Sequence, residues 1–176
     1  NGSERTVISH SLAGICVNEM KINGRVVGET EMNAFVAGYY DVPAIFISGD
    51  DAYVNEVRQT LPHVEAAVVK RGIDRFAADL LHPVKAHELI KEKAKKAVQK
   101  AKQCPPLKIE GPVTFQIEFK GPNQATMTTT LPTVKLIGPR TITFTCDDIV
   151  TAYKHMWGCV IIAMTATNGV LGHVNA

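Results

Sequence analysis

Gly28 to Asp51, GETEMNAFVAGYYDVPAIFISGDD, runs from a helical pattern through a turn into an apolar strand and ends on two acids. That succession sets the fold class. Met32, Phe35 and Val36 recur at helical spacing after Gly28, so Glu29 projects from the first turn of a helix. Partial positive charge at a helix N-terminus keeps a carboxylate ionised and able to bind a cation in front of it. Asp41-Val42-Pro43 is a turn, and Ala44-Ile45-Phe46-Ile47 is an unalternating apolar run. Such a run marks a strand buried on both faces, expected at the centre of a sheet. Asp50 and Asp51 then stand at the C-terminal edge of that strand, before a helix carrying Val54, Val57 and Leu61. Open α/β sheets place ligand sites at such edges. An Asp before a helix is more often an N-cap, and capping is the favoured role for both acids.

Upstream, Thr6-Val7-Ile8 is expected to be a short strand ending at Ser9-His10-Ser11, with a second strand from Ile15 to Ile22. Asn23-Gly24 before Arg25-Val26-Val27 signals a tight hairpin, because both central residues of a type I′ turn need positive φ. Downstream, Glu65 to Val69 is another short apolar strand. Pro83 suits a first helical position, with Ala86, Ile90, Ala94, Ala97 and Ala101 as a narrow stripe before Pro105-Pro106. Val113, Phe115, Ile117 and Phe119 alternate with polar residues, as do Ile142, Phe144 and Cys146, which describes half-exposed strands. Asp147 is expected to cap a long helix with Val150, Tyr153, Trp157, Val160, Ile161 and Met164 on its buried face, stopping near Asn168-Gly169. The expected fold is therefore α/β: a layered α/β sheet portion over residues 1–82, which holds His10 and Glu29, then a smaller α+β portion over 83–176.

Composition narrows the function. The 19 basic and 17 acidic residues give a net charge of +2, too near neutral to imply a nucleic-acid or membrane-surface partner. Lys91, Lys93, Lys95, Lys96, Lys100 and Lys102 crowd one helix, but no aromatics interleave to stack bases, and a solvated face explains them. No stretch approaches the ~20 uninterrupted apolar residues of a spanning helix. Cys16, Cys104, Cys146 and Cys159 are widely spaced with no Cys-x-x-Cys, which points to reduced thiols in a cytoplasmic setting. The chain opens on Asn1-Gly2-Ser3-Glu4 without Met, as if partway through a longer polypeptide.

Two side chains stand out chemically. His10, between two serines, fits a proton carrier near neutral pH or a structural histidine. Glu29 fits a metal ligand or a carboxylate serving only the helix dipole. Asn33, one turn beyond Glu29, can position it or simply be tolerated there. His63, His82, His87, His155 and His173 show no two-ligand spacing, and the P-loop, G-x-G-x-x-G, H-E-x-x-H and G-x-S-x-G patterns do not occur.

On Ser9-His10-Ser11 and the block from Gly28 to Asp51, the chain resembles the DppA-type D-aminopeptidases, a family of dinuclear zinc metallopeptidases. The resemblance runs loosely from Thr6 to the C-terminal helix. It implies that Glu29 binds a catalytic zinc, that His10 is the catalytic residue, that two zincs serve a complete site, and that subunits assemble into rings. It also implies hydrolysis of the N-terminal residue, a D-amino acid, from short peptides. The family's other ligands, from an early Asp-x-Glu-Gly strand and two histidines, precede Ser-His-Ser and do not occur in this sequence. The chain thus resembles the C-terminal two-thirds of such an enzyme, with an upstream segment of the same protein as its partner. Two alternatives are a non-catalytic peptide-binding or assembly module, and a hydrolase of the same scaffold acting on another amine-bearing amide.

Overall fold

A computed structural model describes residues 5–167 of the 176. The fold is mixed α/β, as expected, and the chain divides into two units. One comprises Asn1–Ser9 with Asn33–Lys108, the other His10–Met32 with Ile109–Ala176.

The first unit is built on a three-stranded sheet. β3 (Phe46–Asp50) pairs in parallel with β4 (Glu65–Asp74), which pairs antiparallel with β5 (Ala77–Leu80). Helices α2 (Asp51–Thr60) and α3 (Pro83–Lys100) pack on β3 and β4. Ala34, Ile47, Val54, Val57, Leu61, Val64 and Ala66 form its core. The apolar run ending at Ile47 was expected to be a central strand. Among the described residues β3 instead lies at the sheet edge, and of Phe46, Ile47 and Ser48 only Ile47 is buried. Because α3 packs on β3 and β4, it belongs with this unit, so the division does not fall at the expected boundary between residues 82 and 83.

The β4–β5 ribbon leaves apolar side chains uncovered: Ile73 is 57% exposed, Phe76 80% and Leu80 68%. Arg75 lays its guanidinium 5.5 Å from the Phe76 ring centre. Gly72 is buried where the Arg5 carbonyl comes too close for any Cβ.

The second unit is an antiparallel sheet ordered β2-β1-β6-β8-β7. Its strands are β1 (Val17–Ile22), β2 (Arg25–Val26), β6 (Val113–Phe119), β7 (Lys135–Gly138) and β8 (Thr141–Cys146). Asn23 and Gly24 take φ of 49° and 81°, the left-handed pair the hairpin turn requires. β6 runs through the sheet centre, its Val113, Phe115, Ile117 and Phe119 fully buried under α4 (Pro122–Thr128) and α5 (Ile149–Thr167). Phe115 stacks on Phe144 of β8 with ring centres 5.5 Å apart.

Several local expectations are corrected. Thr6–Ile8 is not a strand: Val7 N–H donates to the Asp50 carboxylate and Ile8 N–H to the Arg75 carbonyl, and Ile8 takes φ of 50°. Specific partners override the β preference of Val and Ile there. The cap of α5 is Asp148, not Asp147, since Asp148 accepts from the N–H groups of Val150 and Thr151. The buried stripe of α5 is Ile149, Ala152, Met156, Cys159, Val160 and Ala163, while Ile161 and Met164 face outward. Ile149–Ala166 is long and apolar enough to cross a membrane by length and composition, but that stripe packs on the sheet as a core helix does. The expected helix stop at Asn168-Gly169 lies outside the described residues.

Candidate active site

Helix α1 (Glu29–Tyr39) starts at Glu29, as its sequence dictates. The Gly28 carbonyl accepts from Met32 N–H, the first turn's bond, which makes Gly28 the N-cap. Glu31, three residues on and 7% exposed, reaches back so that its Oε2 accepts from Gly28 N–H at 2.6 Å. Arg25 lies 3.5 Å from the same carboxylate. This is the carboxylate half of a capping box. Glu31 therefore spends its charge on the helix start, while Glu29 directs its own elsewhere.

Glu29 Oε1 accepts from the backbone N–H of Leu12 at 2.9 Å. That bond ties the Glu29 carboxylate to the turn that carries His10, two residues before Leu12. Leu12 takes φ of 52°, a left-handed conformation that costs a non-glycine residue roughly 1–3 kcal/mol and persists only where the surroundings hold it. Gly14 leaves room for the turn, because a Cβ on it would stand 3.1 Å from the His10 Cβ. His10 is exposed and Glu29 half-buried. Both lie in the second unit, although the sequence placed them in the α/β portion; β1 carries them there by pairing with β6.

Both acids at the end of β3 do structural work in the first unit, but of the two expected caps only Asp50 is one; Asp51 binds β4 instead. Asp50, 4% exposed, accepts from Tyr53 N–H through Oδ1 at 2.7 Å, capping α2, and from Val7 N–H through Oδ2 at 3.2 Å. Asp51 accepts from Gly72 N–H at 3.0 Å, which holds its carboxyl below the usual carboxylate range. A lowered folded-state value means this latch is intact above the ordinary carboxylate range and is lost as pH falls through the lowered value. Asn33 is an exposed residue one turn past Glu29.

Both Asp50 oxygens are engaged and the group is buried, so Asp50→Ala leaves two N–H donors without acceptors and is expected to cost about 1–3 kcal/mol. Asp50→Asn rescues only in part, since its NH2 faces one of the two donors. Thermal denaturation of the complete protein checks this; an unchanged midpoint in the Ala variant would show that the cap carries no stability.

Zinc in catalytic sites takes about three protein ligands. Among the described residues no three His, Cys, Asp or Glu side chains converge on a metal position. One oxygen of Glu29 is held by the Leu12 backbone donor. The donor set of this stretch does not by itself fit a complete zinc centre.

The chain belongs to the D-aminopeptidase family. The model of that family, peptidase family M55, matches residues 1–158. The D-aminopeptidase of Bacillus subtilis (strain 168) is 37% identical over 159 residues, covering 90% of this chain and 58% of that protein. A solved structure described as the Zn-dependent D-aminopeptidase DppA from Bacillus subtilis, a self-compartmentalizing protease, matches with a TM-score of 0.88 at 36% identity, over 93% of this chain and 60% of the other. The chain thus spans about three fifths of the length of these relatives.

The sequence reasoning passed over three features: the Leu12 donor, Glu31 and Gly14. Only Glu31 had a local signal, an acid three residues after an N-cap.

Proposed function

We propose that the complete protein of which this chain is part is a zinc-dependent aminopeptidase that removes the N-terminal residue, a D-amino acid, from short peptides. The observation that carries this reading is the bond from Leu12 N–H to Glu29 Oε1, which fixes a carboxylate beside the turn that presents the His10 imidazole. Glu29 is proposed as one metal ligand, the others coming from an upstream segment of the same protein, with two zincs in the complete site. An ion so held supplies Lewis acidity toward a peptide carbonyl. His10, exposed at the turn, takes or delivers the proton that amide cleavage requires. The D preference rests on the relatives' descriptions and on the family resemblance.

The test is release of amino acid from matched D- and L-aminoacyl dipeptides by the complete protein, beside a stoichiometric zinc analysis. Turnover of the D substrate with bound zinc supports the proposal. A zinc-free protein inert on both substrates overturns it and favours a binding module.

Self-association is part of the same reading, since the matched DppA is described as self-compartmentalizing. Support from this chain comes from the uncovered apolar side chains of the β4–β5 ribbon. Burying a side chain such as Phe76 or Leu80 yields about 1.5–3 kcal/mol, which a second copy of the chain can supply. The double variant Phe76→Asp with Leu80→Asp is expected to lower the sedimentation coefficient of the complete protein while leaving its far-ultraviolet dichroism unchanged. If the variant sediments like the parent, assembly uses another surface.

A further inference from the structure

Two adjoining hollows open at the end of the first unit where β3 and β4 begin, the opposite end of that strand pair from Asp50. One, of ≈ 70 Å³, is apolar, walled by Ala44, Leu61, Val64, Pro106 and Leu107. The other, of ≈ 530 Å³, is rimmed by Arg58, His63, Lys100 and Gln103. They meet at Pro62, His63, Val64 and Cys104, so a single molecule can occupy both.

The charges define what fits. Lys100 is spent on Glu65, 2.7 Å away, and that pair is neutral. Arg58, exposed in the last turn of α2, makes no ion pair among the described residues and leaves one net positive charge on the rim. A guanidinium offers a planar fork of donors that matches a carboxylate. Beside it, the smaller hollow holds roughly four or five water-sized groups, the bulk of a short branched aliphatic chain. We infer that these hollows form one binding site for an apolar monocarboxylate, with the carboxylate on Arg58 and the aliphatic part between Leu61 and Leu107. Free apolar carboxylic acids and the C-terminal ends of apolar peptides share this chemistry.

Cys104 reports on occupancy. It is half-buried at the junction of the hollows, its Sγ 3.8 Å from the His63 carbonyl oxygen. Cys16 and Cys159 are buried, and burial pushes the Cys159 thiol up to about 12. Labelling by N-ethylmaleimide, resolved by peptide mass spectrometry, is therefore followed at Cys104 in the complete protein, with Cys146 as the internal reference. N-acetyl-leucine is the free-acid probe, N-acetyl-alanyl-leucine the peptide-end probe and N-acetyl-leucinamide the uncharged control. A site binding near ~1 mM slows Cys104 labelling about tenfold at ten times that concentration, following the ordinary occupancy relation. Protection is expected from either or both acids, the stronger acid identifying the source, but not from the amide, and it is expected to be lost in Arg58→Gln while Cys146 is unaffected. Absence of protection by both acids, equal protection by the amide, or protection that survives Arg58→Gln overturns the inference. Should Cys104 label too slowly to follow, saturation-transfer NMR of the same probes replaces it, and a signal indifferent to Arg58→Gln overturns the inference in the same way.

Discussion

Glu29→Gln in the complete protein is expected to lose one equivalent of metal and nearly all aminopeptidase activity while keeping its fold. The substitution isolates charge from shape. The glutamine carbonyl oxygen still accepts from Leu12 N–H, the 2.9 Å bond that holds the His10 turn, so the turn keeps its latch. The helix start also survives, because the Gly28 N–H is satisfied by Glu31 rather than Glu29. What disappears is the anionic oxygen a zinc ion requires. Outer-shell partners of metal sites typically cost ~10–100-fold in affinity when removed, and a direct ligand costs more. Glu29→Ala removes latch and charge together, so it is expected to lose metal and also to loosen residues 10–14, visible as faster amide exchange there. Zinc content by mass spectrometry and turnover of a D-aminoacyl dipeptide are the two readouts. If the Gln variant keeps full metal and turnover, Glu29 serves the helix and the turn alone.

The contrast between Glu29 and Glu31 shows how far the sequence can be read. Much of the local structure was legible: Asn23-Gly24 predicted its turn, Pro83 its helix start, and the alternation of β6 matched its burial residue for residue, whereas the turn at Thr6–Ile8 and the α5 cap at Asp148 were misread. Capping was anticipated for Asp50 and Asp51, and Asp50 caps α2. The failure that moved the site is long-range. β1 pairs with β6 about a hundred residues along the chain, as in Met20 opposite Ile117, and nothing in either strand names its partner. That pairing takes His10 and Glu29 out of the expected α/β portion. α4 (PNQATMT), β5 (AADL) and β7 (KLIG) escaped notice because none carries the alternating or helical apolar pattern that marks an element. The contact that ties Glu29 to the His10 turn is a backbone donor at a left-handed leucine, and backbone donors leave no mark on composition.

His10→Ala is expected to leave the metal content of the complete protein unchanged and to lower kcat by about 10²–10⁴-fold, the usual worth of a positioned general acid or base. The turn around His10 argues for a role beyond packing. His10 is exposed, so its imidazole contributes little to a core, yet Ile8 and Leu12 on either side take φ of 50° and 52°. Ile8 is β-branched, for which that conformation is a true outlier. Strain of that kind persists where the surroundings over-determine it: Ile8 N–H is held by the Arg75 carbonyl and Leu12 N–H by Glu29. Gly14→Ala offers a graded companion, since its new methyl presses on the His10 Cβ from 3.1 Å and displaces the imidazole by a few tenths of an ångström without removing it. A smaller loss of kcat in Gly14→Ala than in His10→Ala, with zinc bound in both, follows if the position of the ring matters to proton transfer. Equal kcat in His10→Ala and the parent would leave His10 a bystander and shift the proton-transfer role to a group outside this stretch.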